Sequence, residues 1–472
     1  MTRNLRRYLV VTIPGLALLV VALAFGLRPT AAPYLDLMRQ GDAHAAAAER
    51  TAAVAAYRAA ARLRPGEAEP YLRLAQVYLD WGRTDEALAA LSEAGRRDGA
   101  DADAARLERL WIAASTARGD WPAVVEHAGR LLARAPADRD ACHARAHAHL
   151  QLRQWDAARA EYVALLQTDP ADSLAHERLG VLLLGDDPAA IQHLYTAKSD
   201  LAGRLLAVLS EPGVTDDPAY ASARIGRVLF EAQEWALAAR QFEQALVLSP
   251  DYADAHAYLG YVLDQLGQSA DALPHLQRAV ALAPDSVVAH VFLGLYYDRQ
   301  GDWAAARAEY ETAYDLDPKN PAICVEIAGT WAAEGNYVAA EIWLGEAVRL
   351  QPDDPALWEV LARFYLDRGI TSEGQGVEAA DRLLALSPDS ALAYDLRGWA
   401  ALQSGDYIAA QDNLMKAIAL DPTLAEAHYH LGLLWNALGQ RRKAQEEFTR
   451  AVDLDTTGTL ASLVERALGT LP

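Results

Sequence analysis

The fold is decided by two adjacent stretches of equal length: residues 253–284, ADAHAYLGYVLDQLGQSADALPHLQRAVALAP, and residues 287–318, VVAHVFLGLYYDRQGDWAAARAEYETAYDLDP. Aligned end to end, both have a Leu-Gly pair at the seventh and eighth residues, a glycine at the fifteenth and a proline at the last. Recurrence at a fixed period indicates a repeat architecture, in which similar units stack on one another, rather than one globular core.

The same period extends along most of the chain. Prolines follow one another at intervals of 34 residues, with one interval of 36: Pro250, Pro284, Pro318, Pro352, Pro388 and Pro422. Each unit is predicted to be two antiparallel helices. A glycine such as Gly267 ends the first helix, since glycine adopts the left-handed cap without steric penalty. The final proline stops the second helix, and small residues such as Gly260 let the helices approach closely.

This pattern resembles the tetratricopeptide repeat family. About twelve units are predicted, starting near residues 34, 68, 105, 139, 173, 219, 253, 287, 321, 355, 391 and 425. The resemblance implies an all-α fold, a right-handed superhelical solenoid of antiparallel helix pairs. It also implies that first helices line a concave groove where partner proteins or peptides bind.

The repeat frame predicts five segments. Residues 1–30 form a signal anchor or transmembrane segment, and residues 34–184 form the first five units. Residues 185–218 form an irregular helical insertion that includes an additional helix near 201–209. Residues 219–456 form units six to twelve, and residues 457–472 form a helix that caps the exposed end of the stack.

The amino terminus has the pattern of a membrane segment. Residues 8–27 carry no charge and, as a helix, span the thickness of a bilayer core. Arg3, Arg6 and Arg7 precede this stretch, which favours a cytoplasmic amino terminus and an extracytoplasmic repeat array at the cell membrane. The alternative is a signal peptide cleaved near Ala24, which would release a secreted protein.

Composition excludes several classes of function. The 472 residues carry a net charge of −21, which argues against nucleic-acid binding, and two cysteines rule out a disulfide framework. Residues 251–472 hold 33 acidic and 15 basic residues, so a cationic partner would be drawn to that half. No catalytic or nucleotide-binding motif is present, and we expect neither enzymatic activity nor a cofactor.

One histidine pair is a weak metal-site candidate. His143 and His147 stand four residues apart on a predicted helix and share a face. A third ligand on that face is not evident. The alternative, a helix with two exposed histidines, is the preferred interpretation, so no metal site is predicted.

The predicted groove has a basic part and an apolar part. The basic part is Arg73, Arg106, Arg109, Arg178, Arg224 and Arg227. The apolar part is Tyr258, Tyr261, Val288, Val291, Phe292, Leu295, Trp399 and Tyr429. The basic part could bind acidic side chains or simply be solvated; the apolar part could bind a peptide or pack into neighbouring units.

The sequence therefore predicts a membrane-tethered scaffold that binds partner proteins or peptides along the groove and makes no covalent bonds. Two alternatives remain open. One is a non-catalytic regulatory or targeting subunit of a separately encoded envelope enzyme, such as a glycosyltransferase or a protease. The other is a metal-binding protein that depends on His143 and His147.

Overall fold

The computed structural model describes residues 31–97, 103–185, 187–368 and 374–469. These residues form 26 helices and no strand, so the prediction of an all-helical chain is confirmed for the described part. No helix among them is long and apolar enough to cross a bilayer. The predicted anchor at residues 1–30 lies outside the described residues.

In chain order the helices are α1 Ala31–Ala46, α2 Arg50–Leu63, α3 Glu69–Asp80, α4 Thr84–Ala94, α5 Ala104–Arg118, α6 Trp121–Arg134, α7 Arg139–Gln151, α8 Trp155–Thr168, α9 Ser173–Leu183, α10 Ala189–Ala197, α11 Asp200–Leu209, α12 Pro218–Glu231, α13 Trp235–Leu248, α14 Ala253–Gln265, α15 Ser269–Leu282, α16 Val287–Arg299, α17 Trp303–Leu316, α18 Pro321–Ala333, α19 Tyr337–Leu350, α20 Pro355–Asp367, α21 Gln375–Leu386, α22 Ala391–Gln403, α23 Tyr407–Leu420, α24 Ala425–Ala437, α25 Arg441–Leu454 and α26 Thr459–Gly469.

The helices end where the repeat pattern requires. Helix α15 ends at Leu282, two residues before Pro284, because the residue before a proline is pushed out of the helical region. Gly267 follows the end of α14 with φ +74°, a left-handed conformation that a Cβ atom would strain. The repeat period thus specifies where each of the two helices of a pair ends.

The small residues in the middle of first helices are contact points. A Cβ atom on Gly294 would lie 2.5 Å from the Tyr310 ring, and one on Gly260 would lie 2.6 Å from Leu276. Both distances are impossible without movement, so glycine lets the large side chain of the second helix lie against the first helix backbone. This close approach fixes the geometry of the pair.

The chain divides into two compact units, residues 1–123 with 421–472, and residues 124–420. In the second unit, α10 packs against α9, and a Cβ on Gly180 would lie 2.9 Å from Leu194. Helix α10 therefore completes the fifth helix pair, and the predicted boundary at residue 184 falls inside that pair. Sequence reasoning misplaced it because the short connection at 185–188 disguises the pair. Among the helices described within residues 185–218, α11 is the one that belongs to no helix pair.

In the first unit the start of α2 contacts the last turn of α25, which the repeat period does not predict. The Asp453 carboxylate, in the last turn of α25, accepts a hydrogen bond of 2.8 Å from the Thr51 backbone N–H at the start of α2. In return, Arg50 and the Trp81 indole donate to the Asp453 and Val452 carbonyl oxygens. Each helix terminus thereby satisfies unpaired backbone groups of the other.

Candidate functional site

Three of the eight predicted apolar groove residues, Tyr258, Tyr261 and Phe292, come together in the second unit as part of an aromatic patch. We use this name for Phe230, Trp235, Tyr258, Tyr261 and Phe292, which lie on α12, the start of α13, α14 and α16. Their ring centroids are 4.6 to 6.3 Å apart, and all five side chains are half-buried. The patch spans three consecutive helix pairs.

Two guanidinium groups border the aromatic patch. Arg227 lies over the Tyr258 ring at 5.7 Å and is exposed, and Arg299 lies over the Tyr261 ring at 5.2 Å. Arg299 also pairs with the Asp264 carboxylate at 2.7 Å. Such cation–π contacts orient the rings while leaving their edges accessible.

The remaining predicted apolar residues are not all part of this patch. Val288 is 39% exposed beside it, and Val291 and Leu295 pack against the core between α16 and α18. Trp399, on α22, packs against a core formed by residues of α18 to α22, and the Tyr429 ring contacts Phe448 of α25. Packing into neighbouring helices therefore accounts for Trp399 and Tyr429, while Val288 extends the aromatic patch.

The predicted basic residues mostly have carboxylate partners within the chain. In the first unit, Arg73 and Arg106 share Glu69, at 2.6 and 2.8 Å, while Arg109 is exposed on α5. The negative charge of Glu69 offsets these guanidinium groups. An acidic ligand would have to compete with Glu69 for them.

The second unit holds the other predicted arginines. Arg178 pairs with Glu234 at 2.6 Å, and Arg224 pairs with Glu211 at 2.9 Å. Arg227 has no ion pair among the described residues and stacks on the aromatic patch instead. Of these three, Arg227 is the one whose charge an incoming ligand would meet first.

The two histidines do not form a metal site with other side chains. His143 Nε2 lies 2.8 Å from the buried Asp172 carboxylate, which also accepts hydrogen bonds from Arg139 and the Ala175 N–H. Although burial opposes it, these bonds lower the pKa of Asp172 to about 2. Burial lowers the pKa of His147. No group of three ligating residues that could hold a metal occurs among the described residues.

Sequence reasoning missed a second feature beside the aromatic patch, which we call the Tyr310 site: Asp298 on α16, Tyr310 on α17 and Glu326 on α18. The Tyr310 side chain is fully buried, and its hydroxyl has no hydrogen-bond partner among the described residues. Gly294, one helical turn before Asp298 on α16, lies against the Tyr310 ring. Burial raises the pKa of Tyr310, the charges of Glu326 and Asp298 raise it further, and the charge of Arg299 lowers it.

Neither carboxylate of the Tyr310 site has an ion-pair partner in the described part of the chain. Burial raises the pKa of Glu326, and the charge of Asp298 raises it further. Burial likewise raises the pKa of Asp298, while Arg299 lowers it. The site therefore combines two half-buried carboxylates with a hydroxyl that makes no hydrogen bond to the described residues. Burying these groups without partners costs free energy in the isolated chain.

Comparisons with known proteins agree with the repeat pattern. Models described as tetratricopeptide repeat match residues 299–364, residues 143–202, 224–287 and 259–321, and residues 68–99, 391–424 and 425–457. Together these ranges cover well over half of the chain. No curated protein sequence matches it. The matches do not count the units, so the number twelve stays a prediction.

Several solved structures are similar in fold. The crystal structure of yeast Tom70 has a TM-score of 0.40 and 14% identity, covering 92% of this chain and 95% of that chain. The Cut9-Hcn1 structure of the APC/C has a TM-score of 0.38 and 16% identity, with coverages of 92% and 96%. A tetratricopeptide repeat protein from Parabacteroides merdae has a TM-score of 0.42 and 14% identity, with coverages of 53% and 98%.

At these identities and TM-scores the three structures say nothing about function. The family matches and the repeated helix pairs are sufficient for classification, because the helix ends, the close-approach glycines and the 34-residue period all agree. This chain belongs to the tetratricopeptide repeat family.

Proposed function

We propose that the chain is a non-catalytic scaffold that binds partner proteins or peptides along its first helices, with the aromatic patch as the main contact. The observation that carries the proposal is the patch itself. Five aromatic rings from three consecutive helix pairs form one half-buried, contiguous set. Aromatic residues supply much of the binding energy at protein interfaces.

The exposed residues around the patch support this use. Val288 extends the apolar surface on α16, and the guanidinium of Arg227 lies over Tyr258 at the opposite end. An apolar surface bordered by charge is the usual composition of a partner-binding site. The aromatic patch would supply affinity, and Arg227 would orient the ligand.

The paired arginines have a smaller part in this proposal. Because Glu69, Glu234 and Glu211 already neutralise Arg73, Arg178 and Arg224, an acidic ligand would gain little from displacing these intramolecular partners. Binding is therefore centred on α12, α14 and α16 rather than spread evenly over all predicted groove residues.

A membrane tether is the second part of the proposal. It rests on the uncharged stretch at residues 8–27 and on Arg3, Arg6 and Arg7 before it. In this arrangement the repeats are extracytoplasmic. Protease added to intact cells is expected to degrade the repeats, whereas protection until lysis would contradict the orientation. Release of the chain without detergent would instead favour cleavage near Ala24.

Site-specific crosslinking tests the binding proposal. A photoreactive residue replaces Tyr261 in the aromatic patch and, in a matched control, Ile342, which is 67% exposed on the second helix α19. We expect a discrete adduct from position 261 that competes with unlabelled chain and is absent at position 342. Equal adduct patterns at the two positions, or none at position 261, would contradict binding at the patch.

A further inference from the structure

Three helix pairs place a tyrosine at the same point of the second helix, and the next pair places a charged residue 16 positions further along the chain. The pairs are Tyr57 and Arg73, Tyr162 and Arg178, and Tyr310 and Glu326. In the first two cases the charge is positive, and in the third it is negative. The three positions are equivalent, so their surroundings can be compared directly.

At the first position the chain supplies its own cation. The Tyr57 hydroxyl donates a hydrogen bond of 2.6 Å to the Asp42 carboxylate. Arg73 lies 3.4 Å from Asp42 and 2.6 Å from Glu69, so the guanidinium neutralises both acids. The hydroxyl, the carboxylates and the cation are all satisfied there.

At the second position the arrangement is similar. Arg178 occupies the position equivalent to Arg73. Burial raises the pKa of Tyr162, whereas the charge of Arg178 lowers it. Arg178 pairs with Glu234 at 2.6 Å. Again an arginine of the chain stands beside the tyrosine and balances a neighbouring acid.

At the third position a glutamate, Glu326, stands where the other two pairs have an arginine. The arginine whose charge acts on Tyr310 is Arg299 of α16, and it pairs with Asp264 at 2.7 Å. Gly294 lies against the Tyr310 ring, and Asp298 follows on the same face one helical turn later. Ile323 and Ile327 pack in the same core as Tyr310, and Glu326 lies between them in sequence. The Tyr310 hydroxyl is buried and has no hydrogen-bond partner among the described residues, and the charges of both carboxylates act on it.

Two arginines on the helices that carry Asp298 and Tyr310 pair with carboxylates outside the Tyr310 site. Arg299 pairs with Asp264 at 2.7 Å, and Arg307 pairs with Glu334 at 2.8 Å. Residues 251–472 carry 33 acids against 15 bases, so the surrounding field favours an incoming cation. Val291 and Leu295 pack in the same core as Tyr310, on the helix that carries Phe292 of the aromatic patch.

We infer that a lysine or arginine side chain of the bound partner occupies the Tyr310 site, in the place that Arg73 and Arg178 fill at the two equivalent positions. This inference rests on the proposed function and specifies its partner: a segment with apolar residues for the aromatic patch and a basic residue next to them. Asp298 and Glu326 pair with the cation, and the Tyr310 hydroxyl gains a polar neighbour.

A metal ion is a poorer match for the same site. Two carboxylates and a phenol offer few of the six or more oxygen ligands that calcium takes, and the described residues hold no group of three acidic, histidine or cysteine ligands suitable for a metal. A basic side chain needs only two carboxylates and brings its own hydrogen-bond donors. The inferred occupant of the Tyr310 site is therefore a basic side chain rather than a metal ion.

The test is selection of short random peptides displayed on phage against the full chain in mild detergent, in parallel with Glu326→Arg and Tyr261→Ala variants. Glu326→Arg installs the residue found at the two equivalent positions, so it is expected to fold, which circular dichroism and the unfolding midpoint verify. We expect peptides with a lysine or arginine beside apolar residues, depleted on both variants.

One enriched peptide is then synthesised with lysine and with glutamine at the basic position. On the natural chain we expect the glutamine peptide to bind about tenfold more weakly. On Glu326→Gln the difference between the two peptides should shrink, and on Glu326→Arg it should vanish. This double-mutant cycle isolates the pairing of the two charges from general effects of the substitution.

The outcomes separate this inference from the proposed function. Peptides that depend on Tyr261 but lack a basic residue would uphold binding at the aromatic patch and overturn the inference. An unchanged lysine preference on Glu326→Arg would also overturn it, as would loss of lysine-peptide binding in micromolar calcium. If no peptide is enriched on any form, both the proposed function and the inference are contradicted.

Discussion

The surroundings of Tyr57 and Tyr310 are alike in packing and opposite in charge. In both, a tyrosine of the second helix lies beneath a glycine of the first, Gly41 or Gly294. At Tyr57 the chain adds an arginine, and the hydroxyl donates to Asp42. At Tyr310 it adds Glu326, and the hydroxyl has no hydrogen-bond partner in the described part of the chain. The glycine–tyrosine contact thus builds the helix pair, while the residue 16 positions after the tyrosine determines the charge of the surface and therefore what it binds.

Substitution of the glycines that lie against Tyr57 and Tyr310 should have the largest effect on stability. Gly41→Ala and Gly294→Ala each place a Cβ about 2.5 Å from a tyrosine ring, and we expect each to lower the free energy of unfolding by about 3 kcal/mol. Chemical denaturation measures the loss. Gly329→Ala is the control, because a Cβ there meets no atom within 4 Å. Losses below about 0.5 kcal/mol at both sites would contradict the packing account.

Reversing the charge at the first position should reproduce the third. Arg73→Glu leaves Asp42 and Glu69 without this cation beside the new carboxylate, and we expect a loss of about 1–2 kcal/mol that decreases in high salt. Arg62→Glu, an equal charge change at an exposed position of α2, is the control. Equal effects of the two substitutions would show that Arg73 has no special role.

Removing the two hydroxyls should have unequal effects. Tyr57→Phe deletes the hydrogen bond to Asp42, and we expect a loss of about 1 kcal/mol. Tyr310→Phe deletes a buried hydroxyl without a partner, and we expect no loss or a small gain in stability. Thermal unfolding of the two variants side by side checks this. A loss at Tyr310 as large as at Tyr57 would mean that its hydroxyl is satisfied.

The smallest effect concerns the pH dependence of stability. Because burial and Asp298 raise the pKa of Glu326 in the folded chain, its ionisation destabilises the fold as pH rises through that pKa. Glu326→Gln should therefore stabilise the chain at pH 7, by about 0.5 kcal/mol. The gain should disappear below the ordinary glutamate pKa of 4.5. A gain independent of pH would contradict the electrostatic explanation.

The sequence predicts the helix pairs well because their determinants are local. Gly267 ends a helix through its own backbone, and Pro284 ends the next through the residue before it. The fifth pair is harder to see, since the early break after Leu183 hides α10. The contact between Asp453 and Thr51 could not be predicted in this way, because it joins residues 402 positions apart in sequence that no repeat period relates.

The binding surface is only partly predictable for the same reason. Tyr258, Tyr261 and Phe292 could be placed on first helices from the repeat frame, and the structure brings them together. The Glu234 carboxylate that neutralises Arg178 lies 56 residues further along the chain and carries no sequence signal of its own. The Arg73 partner Glu69, by contrast, stands four residues earlier on the same helix, a spacing that the sequence does show. The Tyr310 site did leave a signal, the 16-residue spacing to Glu326, but it becomes meaningful only beside the arginines at equivalent positions.

The direct test of the Tyr310 site is to map where the basic side chain of a bound peptide lies. A selected peptide is made with a photoreactive lysine analogue at its basic position, crosslinked to the full chain, and the adduct is mapped by mass spectrometry. We expect adducts on α16 and α18, around Asp298 and Glu326, and we expect Glu326→Arg to abolish them. Adducts on second helices such as α19, or on the paired arginines of the first unit, would contradict this expectation.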